Sequence, residues 1–249
     1  MNHPILVLAV TLVGLWLAGR IGVAFRHRRE EMPLDEHEDF GVILAATLTL
    51  LGLIMGFSFS MAITRYDQRK NYEEAEANAI GTEYIRADFL PSENAEKVRQ
   101  LLKNYLEQRI LFYETRPERD LRQVNTRTAE LQQQLWEAIK APVQAQPSPV
   151  QALVVSGMND VLNSQGYTQA AWWNRIPLAA WVLMWIIALC CNLMIGYYVR
   201  PAGRHWVRLM VMPLVVAVSF FLISDIDSPR WGIIKVVPQN LVSLAGSMK

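Results

Sequence analysis

The chain has 249 residues, 52% of them apolar, and its 24 lysines and arginines against 23 aspartates and glutamates leave a formal net charge of +1. That balance, without a basic patch interleaved with aromatics, gives no surface for nucleic acid. The apolar residues are gathered in four blocks with the charge between them, which excludes a water-soluble globule with its apolar residues scattered at helical or strand spacing.

The first block runs from Ile5 to about Phe25, interrupted only by Arg20. Its basic residues Arg26, Arg28 and Arg29 follow the apolar run, and no small-x-small cleavage site closes it, so it reads as an uncleaved span. Asp35-Glu36-His37-Glu38-Asp39 has the composition of a cation site but the spacing of none, and reads as a solvated juxtamembrane loop. Block two, Phe40 to Thr64, carries no charge and is long enough to cross a hydrocarbon core of ~30 Å. From Arg65 to Asp88 only Gly81 interrupts a helical composition, so block two is expected to continue out of the membrane as one long helix, with Glu73, Glu74 and Glu76 on its wet face.

Pro91-Ser92 reads as a break and an N-cap. The next helix places Val98, Leu101, Leu102, Tyr105 and Phe112 on one face. After Arg116-Pro117, a third shows Leu121, Val124, Thr128, Leu131, Leu135 and Ala138 at coiled-coil spacing, a seam for the bundle core or for another subunit. Three prolines make 141–149 a linker, and a last short helix turns Leu153, Val154, Met158, Val161 and Leu162 toward a partner. Block three is Ile176 to Val199 and block four Trp206 to Ser224. Trp172, Trp173, Tyr197, Tyr198 and Trp206 mark the headgroup level. Cys190 and Cys191 are helix neighbours about 100° apart and cannot easily bridge each other.

Runs this long span lipid as helices. The expected fold is all-α: a polytopic membrane protein with four transmembrane helices. Residues 1–64 hold the first two, 65–171 an extramembrane helical bundle, and 172–249 the last two with a C-terminal tail. No phosphate-cradling loop, CxxC pair or nucleophile elbow is present, the histidines (His3, His27, His37, His205) are isolated, and no span holds an ionisable pair. No catalytic residue, metal or cofactor is therefore expected. Asn192 and Pro213 read as packing features of their spans.

Two stripes on block two invite a functional reading. Ala45, Thr49, Gly52, Gly56 and Ser60 form a small or hydroxylated stripe suited to close helix packing. Leu50, Ile54, Phe57 and Met61 form an apolar stripe, either a lipid-facing surface or the dewetting ring of an oligomeric pore. Charge leaves the topology open: the short loops carry Arg26, Arg28, Arg29, Arg200, Arg204 and Arg208, which would place them in the cytoplasm and the middle segment outside, while Arg65, Arg69, Lys70, Arg175, Arg230 and Lys235 flank the opposite side.

Gly56-Phe57-Ser58-Phe59-Ser60-Met61, Arg65-Tyr66-Asp67-x-Arg69, Glu76-Ala77-Asn78-Ala79-Ile80-Gly81 and Tyr84-x-Arg86-Ala87-x-x-Leu90-Pro91 together resemble the bacterial bestrophin-like domain membrane proteins. Asn174-Arg175-Ile176-Pro177 and the tail Asp225-Ile226-Asp227-x-Pro229-x-x-Gly232 fit the same pattern, so the resemblance covers nearly the whole chain. Tyr66, Asp67, Arg69, Asn78, Gly81, Asp227, Pro229 and Gly232 are its motif residues. More distantly, the chain resembles bestrophins, pentameric anion channels whose second span lines the pore. That resemblance implies a homo-oligomer in the bacterial inner membrane, a pentamer, with inorganic anions as partners and the middle segment in the cytoplasm. Pro229-Arg230-Trp231-Gly232 departs from the bestrophin Pro-Phe-Gly motif, and only Asp225 and Asp227 remain of the acidic segment beside it. The competing reading is a non-conducting scaffold or sensor whose helical segment recruits a partner.

Overall fold

The computed structural model describes residues 3–26, 34–198 and 205–248. Arg28, Arg29, Arg200, Arg204 and His27 lie outside the described residues, as do the side chains of Asp35, Glu36, His37, His205, Trp206 and Arg208. The elements in chain order are α1 (Pro4–Arg26), α2 (Leu34–Arg86), a single 3-10 turn (Ala87–Phe89), α3 (Ser92–Glu114), α4 (Glu118–Ala145), α5 (Pro149–Trp173), α6 (Leu178–Tyr198), α7 (His205–Asp227) and α8 (Gln239–Ser247). There is no strand among the described residues, and the fold is all-α. Stretches long and apolar enough to cross a membrane lie within Pro4–Arg26, Glu38–Phe89, Pro149–Tyr198 and Leu209–Asp227, so the chain is a multi-pass membrane protein. It divides into two compact units, Met1–Arg65 with Arg175–Ile234, and Tyr66–Asn174 with Lys235–Lys249.

In the first unit α1 packs against both α6 and α7. Lipid offers no hydrophobic force between helices, so tight packing requires bare backbone. Gly19 and Gly22 of α1 meet Gly196 of α6: a Cβ on Gly22 would collide with the Leu193 carbonyl and lie 2.8 Å from the Tyr197 nitrogen, and one on Gly196 would strike the Gly19 backbone. Below this crossing the free carbonyls at the end of α6 are answered by Arg26, whose guanidinium donates to Tyr197 O (3.1 Å) and Tyr198 O (2.7 Å). Leu15, Trp181, Met184, Ala188 and Phe220 are buried, with Trp181 and Phe220 edge to face at 6.0 Å. Buried Asn192 satisfies its amide on its own helix, donating to Ala188 O at 2.8 Å.

The second unit is a helical bundle. Val98, Leu102, Tyr105 and Phe112 of α3 are buried, as are Val124, Thr128, Leu131, Leu135 and Ala138 of α4. The coiled-coil seam is thus spent inside the bundle, where α4 packs on α3 and α5. Phe112, Tyr113 and Trp172 close the core as mutually tilted rings with centroids 4.9–5.5 Å apart. Three local expectations are corrected here. The residue capping α3 is Pro91, not Ser92, and no side chain caps it. Pro142 does not open a linker: α4 runs through it to Ala145, and Pro142 is itself buried, so packing holds a turn that has forfeited a backbone bond. Consequently α5 is a 25-residue helix rather than a short one, capped by Ser148, which accepts from Gln151 N at 3.2 Å; its Leu153 is exposed while Val154, Met158 and Val161 are buried.

Gly196→Leu should destabilise the purified protein in detergent by about 1–3 kcal/mol or more, because the α1 backbone has nowhere to retreat. Gly166→Ala on α5, where a Cβ meets nothing within 4 Å, should be neutral or stabilise by up to ~1 kcal/mol through helix propensity. Thermal unfolding followed by circular dichroism checks both.

Candidate functional site

Within its apolar stretch, α2 buries Leu44, Leu51, Ser58 and Ala62, spaced at seven, seven and four residues along one face. The rest is bare. Of the most apolar window of this helix only 11% is buried, against 33% in the first span, 28% in the third and 50% in the last. Phe57 is 64% exposed, Leu50 47% and Met61 37%, while Ile54 is half-buried at the edge of the packed face. A seven-residue step drifts by only ~20° around a helix, so Leu50, Phe57 and Thr64 share one exposed face, while the drift accumulated through the exposed Asn71, Asn78 and Ile85 carries that line about 100° away from Leu50.

The small-residue stripe is exposed as well. A Cβ added to Gly52 or Gly56 would meet nothing within 4 Å, so these glycines make no close helix contact inside the protomer, where that role falls to Gly19, Gly22 and Gly196. With Met55, Phe59, Ser219, Leu222 and Ile223 they line an open groove of about 360 Å³ between α2 and α7. Thr49 donates its hydroxyl to Ala45 O (2.9 Å), and the Ser60 carbonyl accepts from Thr64 (3.0 Å).

Beyond Arg65 the packed face of α2 turns from apolar to charged. Glu73 and Glu76, expected on the wet face, are fully buried, as are Arg69 and Glu83; Glu74 alone of the first three acids is exposed. Helical spacing separates polar from apolar residues but cannot show a charge whose partner comes from a distant helix. Glu76 forms a buried ion pair with Arg109 of α3 and accepts from Thr168 (3.2 Å) and Tyr113 (3.5 Å). Burial and the adjacent Glu76 charge push the hydroxyls of Tyr105 and Tyr113 well above the usual phenol range. Glu73 accepts from the backbone N–H groups of Asn240 (2.9 Å) and Leu241 (3.0 Å) and from the Asn240 side chain (2.6 Å), at the N-terminus of α8, where a carboxylate suits both free amides and helix dipole. Arg69 donates to Ala171 O at 3.4 Å. Among the remaining motif residues, Tyr66 packs at the core edge, Asp67 and Asn78 are exposed, and a Cβ on Gly81 would press on Leu244 of α8 at 3.0 Å.

The tail motif of the first unit is a clasp. Asp225 accepts from the N–H groups of Ile233 (2.7 Å) and Ile234 (2.8 Å). Gly232 fits beneath, where a Cβ would collide with Asp225 O and sit 2.9 Å from Ser228 O; Pro229 is half-buried in the same turn. Asp227 accepts from Ile176 N–H at 3.1 Å, and Arg65 and Arg175 both lie 3.7 Å from its carboxylate. Both carboxylates are thus spent on amides and guanidinium groups, and the described residues contain no group of three or more His, Cys, Asp or Glu able to hold a metal.

Removing one partner of the Glu76–Arg109 pair strands a buried charge, so Arg109→Met should cost about 3–5 kcal/mol, whereas Arg109→Met with Glu76→Gln should recover much of it. Unfolding of the three proteins in the same detergent checks this.

The sequence matches the Bestrophin-like domain family over residues 5–241. No curated protein sequence matches it significantly. Among solved structures, the fold is similar to a bacterial bestrophin homologue from Klebsiella pneumoniae. One variant of that protein is 14% identical, with 98% of this chain and 99% of that one covered at a TM-score of 0.64. A second is 14% identical, with 95% and 98% covered at 0.63. The form solved by zinc phasing is 14% identical, with 97% and 98% covered at 0.62. A family match over nearly the whole length, on a helix order and a set of motif contacts that the structure accounts for residue by residue, means that the chain belongs to the bestrophin-like domain family.

Proposed function

We propose that the protein is the subunit of a homo-oligomeric ion channel of the bacterial inner membrane, pentameric and selective for small inorganic anions, with α2 lining the pore. The observation that carries this reading is the bareness of α2: its apolar stretch commits one narrow face to its own protomer. In this reading Leu50, Ile54, Phe57 and Met61 form the constriction. Water leaves a narrow apolar ring easily, and an ion must then cross without its hydration shell. Thr49, Gly52, Gly56 and Ser60, on the other flank of the bare face, receive the neighbouring protomer at close backbone distance. Thr64 continues the Phe57 face with a hydroxyl that can donate to an anion. The helical unit is assigned to the cytoplasm, as the family resemblance implies.

A second reading, a non-conducting scaffold, draws on the second unit. Ile85, Phe89, Val150 and Leu153 are all more than 40% exposed there, and Gln151 and Arg86 bond to the Phe89 and Leu153 carbonyls, so the four lie close together. An exposed apolar patch of this kind suits a protein partner.

Purified oligomer in planar bilayers separates the two. Phe57→Ala and Ile54→Ala should raise conductance or leak several-fold by widening and wetting the ring, while Ile186→Ala on the exposed side of α6 should leave it unchanged. If neither wild type nor variants pass any ion although the oligomer is intact, the channel reading fails and the scaffold takes its place.

A further inference from the structure

Among the described residues, Glu83 is the only acidic side chain with both carboxylate oxygens buried and without a hydrogen-bond partner. It is fully buried and reaches from α2 to α5, where Gly157 makes room for it: a Cβ on Gly157 would collide with its Oε2 and with Arg86. The charged groups that act on it are Arg86 on its own helix and Asp160 on α5. Arg86 attracts it without bonding to it, and its Nη1 donates at 3.4 Å to the Leu153 carbonyl of α5. Asp160, three residues beyond Gly157, adds like charge. The other buried charges of this face, Arg69, Glu73 and Glu76, all have bonding partners, so the lack of one at Glu83 is specific to this position.

We propose that Glu83 is a proton switch in the helical unit: protonated, it lets α5 close onto α2 at Gly157; ionised, it draws Arg86 from the Leu153 carbonyl and opens that contact. A carboxylate stripped of water and donors disfavours its charged form. Burial, opposed by Arg86 and reinforced by Asp160, lifts this carboxyl from the ordinary 4.5 to about 8. Because the folded value is the higher one, the stabilisation from the neutral form is complete below the ordinary carboxylate range. It is lost as pH rises through that range to about 8, when the proton leaves to solvent. The segment released is the first half of α5, which carries the exposed Val150 and Leu153. The switch does not depend on whether the oligomer conducts.

Hydrogen exchange of the full-length protein in detergent, corrected for the intrinsic pH dependence of exchange, tests this. Peptides covering 150–160 should lose protection about tenfold per pH unit in wild type from pH 6.5 up to about 8 and level off above it, where the closed form is itself ionised. Glu83→Gln should remove that dependence, and Gly157→Ala, which crowds the carboxyl, should shift its onset. The infrared difference between wild type and Glu83→Gln at pH 6.5 should contain a protonated carboxyl stretch that is gone at pH 9. Wild-type exchange at 150–160 that is flat from pH 6.5 to 9, or the absence of the protonated band from the difference spectrum at pH 6.5, would overturn the proposal.

Discussion

Burying a charge is costly unless the fold supplies a counter-charge or a set of donors, and α2 meets that condition three times in the helical unit. Arg69, Glu73 and Glu76 follow one another at four- and three-residue steps on its packed face, all fully buried. Each selects an element to lie against it. Glu76 selects α3 through Arg109, Glu73 holds the start of α8 through two backbone amides, and Arg69 reaches the end of α5 at Ala171. An apolar stripe would accept many registers, whereas these contacts each accept one.

The same helix makes a different bargain in its apolar stretch. Leu44, Leu51 and Ser58 provide its contact with its own unit, and the remaining faces are left to whatever surrounds them. The other spans behave otherwise: α1 is locked to α6 by glycines in backbone contact, and Asp227 at the end of α7 meets Arg65 and Arg175. The helix is thus packed on one narrow face within the apolar stretch and bare on the rest. Its two bare flanks differ in a useful way, one lined by large apolar side chains and the other by glycine, threonine and serine.

Much of this was legible in the sequence because the signals were local. Four apolar blocks, the unbroken run from Phe40 to Asp88 and the core faces of α3 and α4 all follow from spacing. What could not be read depended on partners far along the chain. Glu73 and Glu76 look solvated in isolation because Arg109 lies 33 residues from Glu76 and Asn240 lies 167 from Glu73. The short helix α8, with Leu241 its only buried residue, carries no periodic signal of its own. Pro142 misled because proline is read as a breaker, although here the turn that holds it is buried against the bundle. Within the protomer the closest backbone packing falls at Gly19, Gly22 and Gly196, which are too few to form a visible stripe. The motif residues of the tail, by contrast, are explained only by geometry: Asp225 and Gly232 matter because a chain turns back on two amides there.

The central claim is that the bare face of α2 looks onto water rather than lipid once the oligomer forms. The direct measurement is a cysteine scan of residues 46–64, in a background without Cys190 and Cys191, using a small water-soluble thiol reagent on reconstituted protein. The account predicts reactivity that rises and falls with helical period, highest on the Leu50, Phe57 and Thr64 face, and lower at Leu51 and Ser58 in the core and at a lipid-facing control such as Ile186. Uniform protection along the stretch, no greater at Leu51 than at Phe57, would mean that α2 is wrapped in lipid and would contradict it.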